Sequence, residues 1–309
     1  MAATIKLKNG LEMPVFGLGT WNAHSDEITK AIEHAIDVGY RHFDCAFAYG
    51  NEKEIGIGIA NKINEGKIKR EDIFVTNKLW NTFHSPHLVE GALKQSLQNF
   101  GFSYFDLYLM HWPVAFKEGK ELFPAGPDGA MQCSNVNFLD TWKAMEKLVG
   151  QGLVKSIGIS NFNKRQIETL LNVATIRPVM NQIECHPYLN QKDLIEFCKS
   201  KGIAITAYCP LGSPDRSWAK VDDPKLFEEP ILKELAKKHG KTIAQVALKY
   251  NVQRGCVTIP KSSKKSRIEE NFDIFDFELS ADDIACIDTL DCNLRVCALP
   301  RCSHPENPF

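Results

Sequence analysis

The sequence predicts an α/β protein of the parallel (β/α)8 barrel class, a TIM barrel, and three observations carry that expectation. Short runs rich in β-branched and aromatic residues alternate with amphipathic segments eight times, and strict alternation of this kind favours a closed parallel barrel over an open sheet. Four polar residues, Asp44, Tyr49, Lys78 and His111, stand near the ends of the second, third and fourth runs. The strand ends of such a barrel all open onto one face, so these residues are expected to converge. The chain has 309 residues, against roughly 250 for a typical barrel of this class. A single domain over 1–309 is therefore expected, with long loops added at the catalytic face.

Asn9-Gly10, between TIKLK and LEMPV, signals an N-terminal β-hairpin that closes the bottom of the barrel. The eight strands are expected in VFGLGTW, YRHFDCAFAY, IFVTNKLW, FDLYLMHWP, VKSIGISNF, VMNQIECH, IAITAYCP and CVTIP. Helices are expected in EITKAIEHAIDVG, EKEIGIGIANKINEG, HLVEGALKQSLQNFG, LDTWKAMEKLVGQG, RQIETLLNVA, KDLIEFCKSKG, TIAQVALKYNVQRG and SRIEENFDIF. Several end on glycine, Gly39 and Gly101 among them, as a left-handed C-terminal cap requires. One more helix, SADDIACIDTL, starts at Ser280, a suitable N-cap. It leads into a tail, Asp291 to Phe309, whose three Cys and three Pro exclude a regular element. Residues 113–137 after the fourth strand and 211–230 after the seventh are long insertions at the expected catalytic end, where such loops usually serve function.

Hydrophobic content of 44% and charged content of 24% are those of an ordinary globular protein. With 37 Lys+Arg against 38 Asp+Glu the formal net charge is −1, which gives no reason to expect nucleic acid or an anionic membrane as partner. MAATIKLKNGLEMP carries no signal-peptide apolar segment, and no apolar run reaches membrane-span length. A cytoplasmic location is expected, and the lack of any Asn-x-Ser/Thr acceptor agrees with it. The ten cysteines are scattered and contain no Cys-x-x-Cys pair, which argues against zinc ribbons and thioredoxin chemistry. Most, including Cys45, Cys185, Cys198, Cys209 and Cys286, lie in apolar segments and are expected to be reduced and buried. Cys292, Cys297 and Cys302 form a tail cluster expected to be accessible and redox-sensitive.

Other chemistries fit poorly. Gly17-x-Gly19 and Gly56-x-Gly58 lack the third glycine of a dinucleotide fingerprint, and Gly56 lies in a helical pattern. His42, His111 and His186 show no helical His-x-x-x-His pair and no acidic partner at ligand spacing, so no metal is expected. No Gly-x-Ser-x-Gly elbow is present. The four polar residues suit proton donation instead. A phenol has a pKa of about 10, and the Lys78 ammonium beside Tyr49 is expected to lower it, with Asp44 holding Lys78 in place and His111 orienting a carbonyl. Taken singly, Asp44 reads as a cap, Lys78 as a surface charge and His111 as a satisfied core histidine. Beyond CVTIP, Lys261, Ser262 and Arg267 form either a solvated basic helix start, with Lys264 and Lys265, or a seat for a phosphate at a helix N-terminus.

The order Asp44, Tyr49, Lys78, His111 resembles the aldo-keto reductases. GLGTW, GISNF, NQIECHPYLNQ, AYCPLGSPDRSWAK and IPKSSKKSRIEEN extend the likeness over essentially the whole chain, closest to the aldose and aldehyde reductase branch. The resemblance implies NADPH, a small-molecule carbonyl substrate and a monomer. It implies cofactor contacts from Thr20, Trp21, Asp44, Leu211, Ser213 and Asp215, with Ser160, Asn161 and Gln182 on the carboxamide and Tyr208 stacked on the nicotinamide. Lys261, Ser262, Ser263 and Arg267 would then take the 2′-phosphate, and Glu270 and Asn271 the adenine. The implied substrate walls are Trp21, Ala48, Trp80, His111, Trp112, Phe116, Phe123, Trp218 and Leu299, an aromatic surface suited to lipophilic aldehydes, quinones or steroid-like ketones. Ala48 is small for its place beside Tyr49 and widens the expected pocket, while Pro300 and Arg301 depart from the family pattern and leave specificity open. A different class of protein, a cofactor-binding redox sensor or structural protein with little turnover, fits the same fold. A pure binder, however, has no need of all four polar residues.

Overall fold

The structure is a computed structural model that describes residues 3–23, 25–299 and 301–309, so the departure at Pro300 lies outside the described residues. β1 (Thr4–Lys6) and β2 (Glu12–Pro14) form the antiparallel hairpin, with Ile5 opposite Met13. Leu7 and Met13 are buried and cluster with Phe74, Leu107 and Met180, the first residues of their strands. The hairpin therefore plugs the barrel floor.

Eight parallel strands follow in sequence order: β3 (Leu18–Gly19), β4 (His42–Asp44), β5 (Phe74–Leu79), β6 (Leu107–Met110), β7 (Ile157–Ser160), β8 (Met180–Glu184), β9 (Ala204–Tyr208) and β10 (Cys256–Thr258). Parallel bridges from Phe16 to Thr258 and from Gly19 to Lys261 close the ring. The seam needs glycine, because a Cβ on Gly17 would lie 2.4 Å from His42 Nδ1 and one on Gly19 would lie 2.9 Å from the Ile259 carbonyl. Register then fixes the mouth. Asp44 stands beside Gly19, Lys78 beside Leu109, Ser160 beside Gln182, and Glu184 beside Tyr208.

The helices are α1 (Ser25–Val38), α2 (Glu52–Asn64), α3 (Pro86–Phe100), α4 (Phe138–Gly150), α5 (Lys164–Leu171), α6 (Lys192–Ser200), α7 (Pro230–His239), α8 (Ile243–Gln253), α9 (Lys265–Phe272) and α10 (Ala281–Asp288). Their apolar faces bury Ile32, Leu93, Trp142 and Ile167 against the outer surfaces of the strands, which contribute Phe43, Val75 and Tyr108. Ser280 caps α10 as expected, accepting from Asp283 N at 3.1 Å while its own amide donates to that carboxylate at 3.0 Å.

Two expectations are corrected here. Helix α7 is absent from the expected helices, although Pro230 in its first turn, left-handed Gly240 after its end and buried Leu232, Leu235 and Ala236 are all helix signals. The run YRHFDCAFAY is strand only over His42–Asp44. It then bends into a 3-10 turn, Phe47–Tyr49, ended by left-handed Gly50, so Tyr49 sits on a turn rather than at a strand end.

The tail 291–309 contains no helix or strand among its described residues. Among the described residues no helix is long and apolar enough to cross a membrane. The cysteines divide differently from the expectation. Cys286 is exposed on α10, Cys209 is half-buried, and Cys302 of the tail cluster is buried against Cys133, Sγ to Sγ 3.3 Å.

Candidate active site

Asp44 ends β4, Lys78 lies one residue before the end of β5, His111 follows β6, and Tyr49 hangs over them from its turn. The structure brings all four together. Lys78 Nζ is fully buried and donates to Asp44 Oδ2 at 2.6 Å, to the Cys45 carbonyl at 2.9 Å and to the Tyr49 hydroxyl at 3.2 Å. Its three protons thus have three acceptors, which fixes the ammonium against the phenol. His111 faces the other side, its ring 5.9 Å from Tyr49 and 5.1 Å from Trp80, both edge to face.

The expected lowering of the Tyr49 pKa is not found. Burial first, and then the Asp44 carboxylate, push it well above its ordinary value of 10. Tyr49 is half-buried by surface, yet protein crowds it closely enough for desolvation to dominate the neighbouring ammonium. It is held as a neutral phenol. Burial, followed by Lys78 and His84, holds His111 well below 6.5, so its imidazole is neutral as well. His111 Nδ1 has no hydrogen-bond partner among the described residues.

A second network joins this one at Asp44. Gln182 Nε2 donates to Asp44 Oδ1 at 2.6 Å, and the Gln182 carbonyl accepts from Ser160 Oγ at 3.0 Å. Asn161, in the left-handed region at φ 64, donates to the His111 carbonyl at 3.0 Å and accepts from the Tyr208 hydroxyl at 2.7 Å. Ser160, Asn161, Gln182 and Tyr208 therefore form one rigid shelf beside the four central residues. The basic group is set apart from it. Lys261 and Arg267 are exposed, and neither makes an ion pair among the described residues, while Ser262 is buried. The Gly19 to Lys261 bridge places Thr20 and Trp21 next to this segment. Ser263 and Glu270 are partly buried, with Glu270 accepting from Thr242 Oγ1 at 2.8 Å, and Asn271 is buried. In the 211–230 insertion Leu211 and Ser213 are partly buried and Asp215 is exposed. An Arg216–Asp223 ion pair braces that loop.

The aromatic walls fall into two sets. Trp80, Trp112, Phe116 and Leu299 form one buried cluster flanked by Ala48, and Phe123 packs on Trp80 at 5.0 Å. Trp21 and Trp218 meet edge to face at 6.0 Å and are 38% and 51% exposed, which makes them the open side of the site. Phe116, at 1% exposure, packs edge to face on Trp80, centroids 5.8 Å apart. Arg301, on the tail, is exposed, and its carbonyl accepts from Met131 N in the 113–137 insertion at 3.1 Å. An open groove of about 480 Å³ lined by Phe47, Phe83 and Leu88 lies elsewhere, and none of the four central residues lines it.

Glu184 is not among the expected site residues, and His186 was expected to lack an acidic partner. Glu184 and His186, both fully buried, pair at 2.8 Å, so His186 does have an acidic partner. The signal was present: a charged residue inside an otherwise buried strand demands one.

Neutral acid–base groups gathered around a buried ion pair at the mouth of a parallel barrel place the chain among barrel enzymes that move protons on small molecules. Residues 15–291 match the aldo/keto reductase family, and the chain belongs to it. It is 49% identical to aldo-keto reductase family 1 member A1 of Xenopus tropicalis over 98% of this chain and 96% of that one. It is likewise 49% identical to the Gallus gallus protein of the same name, over 99% and 97%. Among solved structures the aldose reductase from Schistosoma japonicum superposes with a TM-score of 0.94 at 46% identity, covering 99% of this chain and 98% of that one. The chain is thus an aldo-keto reductase, an oxidoreductase of carbonyl compounds.

Proposed function

We propose that this chain reduces aldehydes and ketones to alcohols with NADPH, using Tyr49 as the proton donor. The observation that carries the reading is the Lys78 ammonium, fixed by Asp44 and 3.2 Å from a Tyr49 hydroxyl that its surroundings keep protonated. A donor must hold its proton before the reaction and be supported after losing it. Burial supplies the first condition and Lys78 the second, since a phenolate formed at Tyr49 has the ammonium already in place. His111, neutral and with its ring 5.9 Å from that of Tyr49, orients the carbonyl oxygen toward the phenol.

The residues present fit the cofactor. Lys261 and Arg267 are cations without partners among the described residues, next to buried Ser262, which suits a 2′-phosphate. A bound NADPH would supply the hydride, from nicotinamide C4 to the carbonyl carbon. Ser160, Asn161 and Gln182 would hold its carboxamide and Tyr208 its ring face, with Thr20, Trp21, Leu211, Ser213 and Asp215 over the pyrophosphate side and Ser263, Glu270 and Asn271 toward the adenine. Trp21, Ala48, Trp80, Trp112, Phe123, Trp218 and Leu299 would exclude water from the carbonyl and favour lipophilic substrates. All these groups come from one barrel, which supports a single domain over 1–309, and the monomer is proposed on the family likeness.

The test is NADPH oxidation, followed by its near-ultraviolet absorbance, with an aromatic aldehyde, a linear aldehyde, a sugar and a steroid ketone. Tyr49→Phe is expected to cut kcat by about 10² to 10⁴-fold, the usual worth of a general acid, with NADPH affinity unchanged by fluorescence titration. Wild-type protein that binds NADPH tightly and turns over nothing in the panel would replace this reading with the sensor or structural one.

A further inference from the structure

Proton donation makes no use of the buried Glu184–His186 pair. Glu184 ends β8, two residues beyond Gln182 and on the same face of the strand. Its side chain is fully buried, and a carboxylate so placed requires partners for both oxygens. It finds them 112 and 113 residues away. Oε1 accepts from Val296 N at 2.8 Å and from the His186 ring at 2.8 Å, and Oε2 accepts from Cys297 N at 2.8 Å. Arg295 Nη1 approaches Oε2 at 4.0 Å. No regular element stabilises this stretch of tail, so the strand end does.

The segment seated on Glu184 carries much of the substrate side. The Val296 carbonyl accepts from Trp218 Nε1 at 2.8 Å, which ties the 211–230 insertion to the same anchor. Leu299, three residues on, enters the cluster with Trp80 and Trp112. The Arg295 guanidinium lies 3.4 Å over the ring of Phe309, which in turn meets Trp112 at 5.9 Å. The open wall at Trp218 and the buried wall at Leu299 thus hang from one carboxylate.

We infer that Glu184 is a positioning residue that sets substrate choice: it seats the tail, and with it Leu299 and Trp218, on the rim of the barrel and takes no part in proton or hydride transfer. This inference rests on the reductase reading. A bulky aromatic aldehyde that leans on both walls depends on the anchor, whereas a small aldehyde reaches Tyr49 without it.

Glu184→Gln keeps the shape but turns an NH2 toward a backbone N–H. It is expected to raise KM for a bulky aromatic aldehyde about tenfold, as loss of binding shared by ground and transition states does. The kcat for both substrates and the small aldehyde's KM are expected to stay within about twofold. Limited proteolysis, which needs no turnover, is expected to cleave the tail of this variant faster than that of the wild type. Equal loss of kcat on every substrate, or an unchanged KM ratio with an unchanged digest, overturns the inference. Wild type inert on the whole panel overturns the reductase reading instead, while the digest still reports on the anchor. Should Glu184→Gln misfold, Glu184→Asp keeps the carboxylate but draws it back from the Val296 and Cys297 amides. The same KM rise without loss of kcat supports the inference, and no change in KM overturns it.

Discussion

The two ends of this barrel are made by the same strands and differ in nearly everything else. At the floor β5, β6 and β8 begin with Phe74, Leu107 and Met180, which close on Leu7 and Met13 of the hairpin as a dry cluster. A few residues along the same strands stand Lys78, His111 and Gln182, bound to one another through Asp44 and Asn161. The floor gains stability from burial that any well-fitting apolar side chain supplies. The mouth holds buried polar groups that are stable only as a complete set. Cohesion at one end leaves the other free to carry groups that a core would reject.

The largest effect that would break this contrast is expected from Lys78→Met. It leaves Asp44 buried with Gln182 as its remaining side-chain partner, a loss of about 3 to 5 kcal/mol for a broken buried pair. Urea unfolding should show that loss, together with a fall in kcat of about 10²-fold or more. A floor substitution should separate the two properties. Leu107→Ala, at a fully buried position where β6 begins, is expected to cost about 2 to 5 kcal/mol while kcat per folded molecule stays unchanged. A parallel fall in kcat would show that floor and mouth are not independent.

The smallest effect concerns pH. Burial first, then Lys78 for His42 and His304 for His84, lower both imidazoles to about 3, and His111 is lowered too. Unfolded histidine binds its proton near pH 6.5. Between that value and about 3 the unfolded chain therefore holds protons the folded chain refuses, and stability falls as pH falls. Each of His42 and His84 should contribute a loss of about 2 kcal/mol at pH 5. Urea midpoints at pH 7 and pH 5 measure the sum, and His42→Gln should remove its share of the slope. An unchanged slope would place the pH dependence elsewhere.

Strand order, the hairpin and the positions of Asp44, Lys78 and His111 were legible because each depends on local pattern: an apolar run, a turn pair, a polar residue where the run stops. Three things were not. The state of Tyr49 depends on how much protein surrounds a turn, which neighbour chemistry alone does not report, so the sign of its pKa shift was misread. Helix α7 was legible and left unassigned, because PILKELAKKH follows directly on a long insertion that masks its start. The tail partners of Glu184 were beyond reach, since they are backbone amides of a segment with no periodic pattern.

The hydrogen bond from Gln182 to Asp44 joins β8 to β4, strands that stand four places apart in a ring of eight. It therefore runs from one side of the mouth to the other, a tie rod across the opening. A descendant copy that gave up turnover could not shed these side chains one at a time, because each single loss strands a buried partner, at about 1 to 3 kcal/mol for a neutral group and about 3 to 5 for the Lys78–Asp44 pair, before any gain arrives. Chemistry of this kind leaves a fossil: the polar set would outlast the reaction it served, held in place by the architecture it had come to brace.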